Sequence, residues 1–274
     1  MTNPRDDRIS LWRELSLRVR KPTGRGHRGD DPGREQAARF EASAKRRRGD
    51  EPDVLVTALA ELLRPADALV DIGAGIGRWT VPLARLVERV TALEPSPAML
   101  ALLRENTAPT GNVTIVESTW LDAEVGPHDV ALCSHAMYSS PDLMAFVSKM
   151  ERVARRLCVM VLRVPSHDGV IGEMAQRIHG RWHDSPNFIL AYNILLDAGI
   201  YPNVLMEPGV RHWTDETFDG AVDRAKRHLR LGESTAYDDT IRSVLDQRLT
   251  ALEGQWVWPD GMRSALVWWS PPPA

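Results

Sequence analysis

Leu69-Val70-Asp71-Ile72-Gly73-Ala74-Gly75-Ile76-Gly77-Arg78-Trp79-Thr80 constrains the fold of this chain more than any other stretch. Apolar β-formers run into an acid, then into three glycines at every second position. Trp79, Val81, Leu83, Leu86 and Val87 follow as apolar positions of a helix. The stretch reads as strand, tight loop and helix. Glycines let the backbone approach a ligand closely. The free N–H groups and positive dipole end of the following helix make the turn a binding place for a polar ligand.

A dinucleotide loop, G-x-G-x-x-G, needs glycine at position 78, where this chain has Arg78. Asp71 before the loop suits a ligand with a cationic head better than a pyrophosphate. The next strand, Val90-Thr91-Ala92-Leu93-Glu94, ends in an acid 21 positions after Gly73. A carboxylate there can accept both hydrogens of a ribose diol, a feature shared by NAD and S-adenosyl-L-methionine sites. Pro95-Ser96-Pro97 follows, with Ser96 expected as N-cap and Pro97 at the first helical position.

Asp71-Ile72-Gly73-Ala74-Gly75-Ile76-Gly77, together with Ala92-Leu93-Glu94-Pro95-Ser96-Pro97-Ala98-Met99-Leu100, resembles motifs I and II of the class I S-adenosylmethionine-dependent methyltransferases. The likeness runs from about residue 53 to 163. It implies an α/β fold: a Rossmann-like seven-stranded sheet with an antiparallel strand seven. It also implies S-adenosyl-L-methionine as cofactor and S-adenosyl-L-homocysteine as product. Asp71, Gly73, Ala74, Gly75 and Gly77 are expected at the methionine end, and Glu94, Pro95 and Ser96 at the ribose. Ser118, Thr119 and Trp120 border the adenine, and Ser134 closes the cofactor side at the end of strand four. The family's usual acid after strand three is displaced or absent here, with Asp122 as a fallback. Trp120 either stacks on adenine or packs under the loop.

The rest of the chain fits that architecture. Strands are expected at 68–72, 89–94, 113–117, 129–134 and 157–162, with helices at 53–63, 78–88, 97–106 and 141–155 between them. Short apolar strands separated by helices are the pattern of a parallel sheet covered on both faces. Helices at 170–180 and up to 197, a strand at 199–206, and helices at 215–230 and 238–252 follow. The chain ends in Gln255-Trp256-Val257-Trp258, a Pro259-Asp260-Gly261 turn, and a run from Ser264 to Trp269 that resembles strand seven. The expected division is an N-terminal helical cap at 1–52 and a methyltransferase domain at 53–274, with helical insertions at about 166–198 and 211–253.

Within the cap, Ile9, Trp12, Leu15 and Val19 form a helical stripe. Residues 1–50 hold 14 Lys/Arg against 8 Asp/Glu, and a second helix from Glu35 ends in Lys45-Arg46-Arg47-Arg48. Basic residues at a helix C-terminus complement its dipole. That run is read as a solvated helix end, with nucleic-acid contact as the alternative. The net charge of −3 over 274 residues gives no general pull toward nucleic acid. No run of 18 apolar residues or signal-peptide pattern is present, so a cytoplasmic chain without membrane spans is expected. Cys133 and Cys158 are expected as core thiols, and no metal-ligand spacing exists.

The acceptor side is expected after strand four, at Ser134-His135-Ala136-Met137-Tyr138. Ligands of doubly wound sheets lie beyond the carboxyl ends of the strands. His135 is the general-base candidate, since histidine titrates near neutrality. Tyr138 is placed to bond the sulfonium region or the acceptor. Structural roles for both, and catalysis by alignment alone, stay open. Trp182, His183, Asp184 and Asn187 form a second acceptor-side cluster, equally readable as a helix start capped by Asp184 or Ser185. The expected function is methyl transfer to a small-molecule acceptor, in a possible homodimer. RNA or protein methylation, or a non-catalytic cofactor-binding regulator, are the alternatives.

Overall fold

The computed structural model describes residues 4–19, 53–165, 169–180, 185–208 and 211–273. Helices α1 (Pro4–Val19) and α2 (Val54–Leu62) precede the first strand. Six strands follow: β1 (Ala68–Ile72), β2 (Arg89–Leu93), β3 (Val113–Val116), β4 (His128–Ser134), β5 (Ala154–Val164) and β6 (Asn203–Met206). Between them run α3 (Thr80–Ala84), α4 (Pro97–Thr107), α5 (Leu143–Val153), α6 (Val170–His179) and α7 (Phe188–Asp197). The chain ends with β7 (Arg211–Asp215), α8 (Phe218–Leu229), α9 (Asp238–Arg248), β8 (Thr250–Leu252) and β9 (Gln255–Trp269).

The central sheet has the order β3-β2-β1-β4-β5-β9-β6. The first five strands are parallel, and β9 runs antiparallel to both β5 and β6. This is the expected seven-stranded α/β sheet. Side chains alternate between its faces, as the pleat requires. Ala131 and Cys133 of β4 join Val70, Ile72, Met160 and Leu162 in one core, covered by α1, α5 and α7. Val130 and Leu132 join Leu69, Val159 and Val161 in the other, covered by α2 and α3. Both faces are sealed, so the strands read as unbroken apolar runs. Each fully buried Leu or Val contributes about 1.5–3 kcal/mol.

A third core joins α6, α8 and α9 to Trp258 of β9. Three features of this C-terminal part differ from expectation. Pro259-Asp260-Gly261 is not a turn: β9 continues through it. The pairing of β9 with β7 shifts there, Thr214 opposing Val257 and His212 opposing Gly261. Three residues on β9 thus face one on β7, and Pro259 sits in the bulge, where its missing N–H interrupts no ladder. Secondly, α9 stops at Arg248, and residues 250–252 turn back as β8. Glu253 and Gly254, with φ of 49° and 77°, link Leu252 to Gln255 in a tight hairpin. Thirdly, β7 itself stands where loop and helix were expected.

The N-terminal stripe is oriented as its spacing predicts. Trp12 and Leu15 are buried, and Ile9 packs at the edge of the same core. Arg8 adds a two-bond ion pair to Asp197 of α7, both contacts at 2.8 Å. The expected helix at Glu35–Arg48 and the cluster Trp182-His183-Asp184 lie outside the described residues. The N-cap of α7 is Asn187, whose side chain accepts from the Leu190 amide, rather than Asp184 or Ser185. Among the described residues, no helix is long and apolar enough to cross a membrane, and no His/Cys/Asp/Glu group could hold a metal ion. Cys133 and Cys158 are both buried free thiols.

Candidate active site

Strand β1 lies between β2 and β4, and the chain crosses from β3 at one edge to β4 on the other side of β1. The order reverses there, and that crevice is where an open α/β sheet takes its ligand. The glycine loop leaves β1 on one side of it, and Ser134-His135-Ala136 leaves β4 on the other.

The loop is held from below and from the side. Asp71 and Thr80 are both buried, and the Thr80 hydroxyl donates to Asp71 Oδ2 at 2.6 Å. Burial pushes the Asp71 carboxyl up to about 6; the Thr80 hydrogen bonds oppose this and the charge of Glu94 adds to it. The Ala74 amide donates to the Leu93 carbonyl at 2.8 Å, tying the loop to the end of β2. Glu94, also buried, accepts the Gly75 amide on Oε2 at 2.9 Å and the Ser96 amide on Oε1 at 2.8 Å. Burial raises its carboxyl as well, against those two N–H groups.

Gly73 and Gly75 take φ of 72° and 59°, which L side chains rarely adopt. A Cβ on Gly73 would stand 2.3 Å from the Ala136 Cβ, so the two loops across the crevice touch. A Cβ on Gly75 would meet nothing within 4 Å. Open space above Gly75, two buried carboxyls and a glycine backbone fit a cofactor with a ribose and a cationic head.

His135 opens the facing loop in a left-handed conformation, φ 57°, uncommon for a side-chain-bearing residue. Its amide donates to the Val161 carbonyl at 3.1 Å. Its Nδ1 lies 3.1 Å from the hydroxyl of Tyr138, which sits in a single 3-10 turn, Met137–Ser139. The same hydroxyl oxygen accepts the Arg163 amide at the end of β5. The Arg163 guanidinium donates to both the Ser185 hydroxyl, at 2.7 Å, and the Ser185 carbonyl.

The structure thus brings Asp71, Gly73, Ala74, Gly75, Gly77, Glu94, Pro95 and Ser96 to one side of the crevice, and Ser134, His135 and Tyr138 to the other. Three of the expected positions have a definite local setting. Asp71 is enclosed at the root of the loop, where it holds Thr80. Ser96 stands at the N-cap of α4 with Pro97 in the first turn, but its side chain makes no capping bond. Trp120 is a core residue: it is 5% exposed, donates its indole N–H to the Phe146 carbonyl and packs on the Phe146 ring. Lys149 Nζ lies 4.8 Å from its ring centroid, so the indole is enclosed and not available for stacking on adenine. Ser118 and Thr119 stay at the surface end of that loop, Thr119 donating to Asp122. Thr80 and Ala136 are the partners that sequence reading missed.

Residues 69–156 match the family model described as a methyltransferase domain. That stretch is a methyltransferase domain, running from β1 to the start of β5. A Bacillus halodurans protein designated a methyltransferase in its solved structure is 16% identical to this chain. Its TM-score is 0.55, over 79% of this chain and 98% of that one. Among curated relatives, the probable ribosomal RNA small subunit methyltransferase A of Methanosarcina barkeri is 33% identical over 91 residues, 33% of this chain and 31% of that protein. The Bacillus pumilus ribosomal RNA small subunit methyltransferase A is 40% identical over 58 residues, 21% of this chain and 20% of that protein. The chain therefore matches less than a third of either relative's length.

Proposed function

We propose that this protein transfers the methyl group of S-adenosylmethionine to a small-molecule acceptor, with His135 as general base. S-adenosylmethionine supplies an electrophilic methyl on a sulfonium. The glycine-loop backbone and the Glu94 carboxylate hold the methionine and ribose ends, with Ser118 and Thr119 at the adenine border. Asp71 holds the loop in shape through Thr80. His135 takes a proton from the acceptor, raising its nucleophilicity. The supporting observation is the close approach of Gly73 to Ala136, the residue after His135. The second support is α1, whose Trp12 packs beside Tyr138 and donates to the Ser140 carbonyl in the loop that carries His135. Residues 1–52 are read as the cap of the acceptor side.

Isothermal titration with S-adenosylmethionine tests the cofactor half. Failure to bind, or binding unchanged in the Asp71→Ala, Glu94→Ala double variant, sinks the reading. A second reading is methylation of RNA, favoured by the ribosomal RNA methyltransferase relatives and the basic residues within 1–50. Labelled methyl recovered on RNA, with RNA retention that falls steeply with salt, would replace the small-molecule acceptor by a nucleic acid.

A further inference from the structure

We infer that the acceptor carries an anionic oxygen group, and that His228 of the C-terminal unit receives it beside Arg163. This rests on the reading of the crevice as a methyl-transfer site with a small-molecule acceptor. The strands bring the C-terminal unit to that place. β9 pairs with β5 as far as Val164, which opposes Arg263, and the residues of β9 before Arg263 pair with β7. β7 therefore stands beyond the carboxyl end of β5, on the side of the sheet where ligands lie. Trp213 of β7 stacks on His228, in the last turn of α8, with ring centroids 4.7 Å apart and an angle of 22° between the planes. His179 of α6 donates from Nε2 to the Leu229 carbonyl at 3.2 Å, so α6 packs on the same turn.

The charges that act on His228 come from three elements. Arg224 and Arg227 belong to its own helix, Arg163 to the end of β5 and Asp215 to the end of β7. Each of the three guanidinium groups acts on the imidazole more strongly than the Asp215 carboxylate, which is itself bound to Arg224. Burial first, and then these three cations, push the imidazole down to about 4, so it is neutral at pH 7. His228 is nevertheless exposed. A ring crowded by protein yet reached by solvent stands in a concave wall, and a wall lined by one sign of charge focuses its field on the opposite sign. Arg163 sets that wall beside the site, because its amide meets the Tyr138 hydroxyl in the turn that follows His135. Stacking on Trp213 occupies one face of the imidazole, whereas its nitrogens lie on the ring edge. An anion at that edge favours the imidazolium, which donates from both nitrogens. Anion binding and proton uptake by His228 therefore strengthen one another.

Inorganic sulfate is the probe, because its charge is constant between pH 5.5 and pH 7.5. Nitrogen-15 NMR of the full chain, labelled at its 8 histidines, follows the His228 ring, assigned with His228→Gln or by its through-space contact with the Trp213 indole. Sodium sulfate should shift the His228 resonance saturably, where sodium chloride of equal ionic strength does not. Binding should tighten at least about threefold from pH 7.5 to pH 5.5, and His228→Gln should abolish that dependence. A shift linear in sulfate and matched by chloride overturns the proposal, as does an affinity independent of pH; both are read on the wild type and need no variant to fold. Saturating S-adenosylhomocysteine should leave sulfate binding unchanged. Exclusion of one by the other would put the anion in the cofactor's place, and overturns the assignment to the acceptor. The underlying reading fails differently: a protein that binds sulfate at His228 but neither S-adenosylmethionine nor S-adenosylhomocysteine refutes methyl transfer while upholding the anion site.

Discussion

The Thr80 hydroxyl closes on the Asp71 carboxylate at 2.6 Å, joining the end of β1 to the start of α3 beneath the glycine loop. Neither residue reaches solvent. A carboxylate so enclosed keeps its charge at a cost, and its pKa stands at about 6. The loop is shaped by a group whose ionised form the fold itself disfavours, a condition that a bound cation would relieve.

Asp71→Asn should therefore stabilise the unliganded protein and weaken its cofactor binding. The folded pKa of Asp71, about 6, lies above its unfolded value of 3.8, so the folded state holds the proton more tightly. The contribution of this group to stability is greatest below pH 4 and falls as pH rises toward 6, then stays low. The total fall is about 3 kcal/mol. Asparagine keeps the shape and removes the titration. Urea unfolding at pH 4 and pH 7.5 should show a smaller loss of stability on going up in pH for the variant. Titration calorimetry at pH 7.5 should show weaker S-adenosylmethionine binding. A pH dependence identical to wild type would count against a raised Asp71.

The sheet and the cofactor loops were readable in advance because their signals are local. β1, β4 and β5 are buried on both faces and so appear as continuous apolar runs. The glycine spacing and Glu94 reflect a backbone path that few other residues allow. The parts misread or left open depend on contacts distant in sequence. β8 has three exposed residues and continues the helical spacing of Leu245 and Leu249, so only its pairing with β9 makes it a strand. Pro259 lies inside a strand because β9 itself bulges there against β7. The indole of Trp120 is enclosed by Phe146 and Lys149, 26 and 29 residues further on. The Tyr138 hydroxyl meets the Arg163 amide, 25 residues away. None of these partners is implied by composition or periodicity.

Arg78, which stands where a dinucleotide loop has glycine, ties the glycine loop to the start of α2. Its guanidinium meets Asp53 at 2.5 Å, and Asp53 also caps α2 by accepting from the Leu55 and Val56 amides. Hydrogen bonding and charge from Arg78 hold the Asp53 carboxyl below its ordinary value, outweighing the effect of burial. Both side chains are more than a quarter exposed, so the ion pair contributes at most about 1 kcal/mol. Asp53→Asn keeps the cap and loses the pair; Asp53→Ala loses both and should cost about 1 kcal/mol more in urea unfolding. Equal losses for the two variants would show that capping contributes nothing.

Asp215 organises the C-terminal unit through two partners at once. It accepts the indole N–H of Trp258, a fully buried residue, at 2.8 Å. It also receives the Arg224 guanidinium through Nε and one terminal nitrogen, and Arg224 lies 5.5 Å from the Trp213 ring centroid. Asp215→Ala leaves a buried donor and a half-buried cation without their acceptor, a loss of about 3 kcal/mol. Asp215→Asn retains an acceptor for Trp258 and should lose less. Tryptophan fluorescence followed through urea unfolding checks the order, and an alanine variant as stable as the asparagine variant would contradict it.

Gly73 and Ala136 set the width of the crevice, and a pair of substitutions separates space from conformation. Gly73→Ala places a methyl 2.3 Å from the Ala136 Cβ and puts a side chain at φ 72°. Relieving the first requires the His135 loop to move away; the second costs about 1 kcal/mol or more whatever the space. S-adenosylmethionine affinity should fall at least tenfold, and methyl transfer further, because the cofactor loop and His135 are displaced together. Ala136→Gly in the same chain removes the clash and leaves the strain. It should restore transfer more than it restores thermal stability, since only the first depends on the spacing of the loops. Measuring both on the single and double variants decides the matter: recovery of neither means that the backbone conformation of Gly73 alone, and not its contact with Ala136, sets the site.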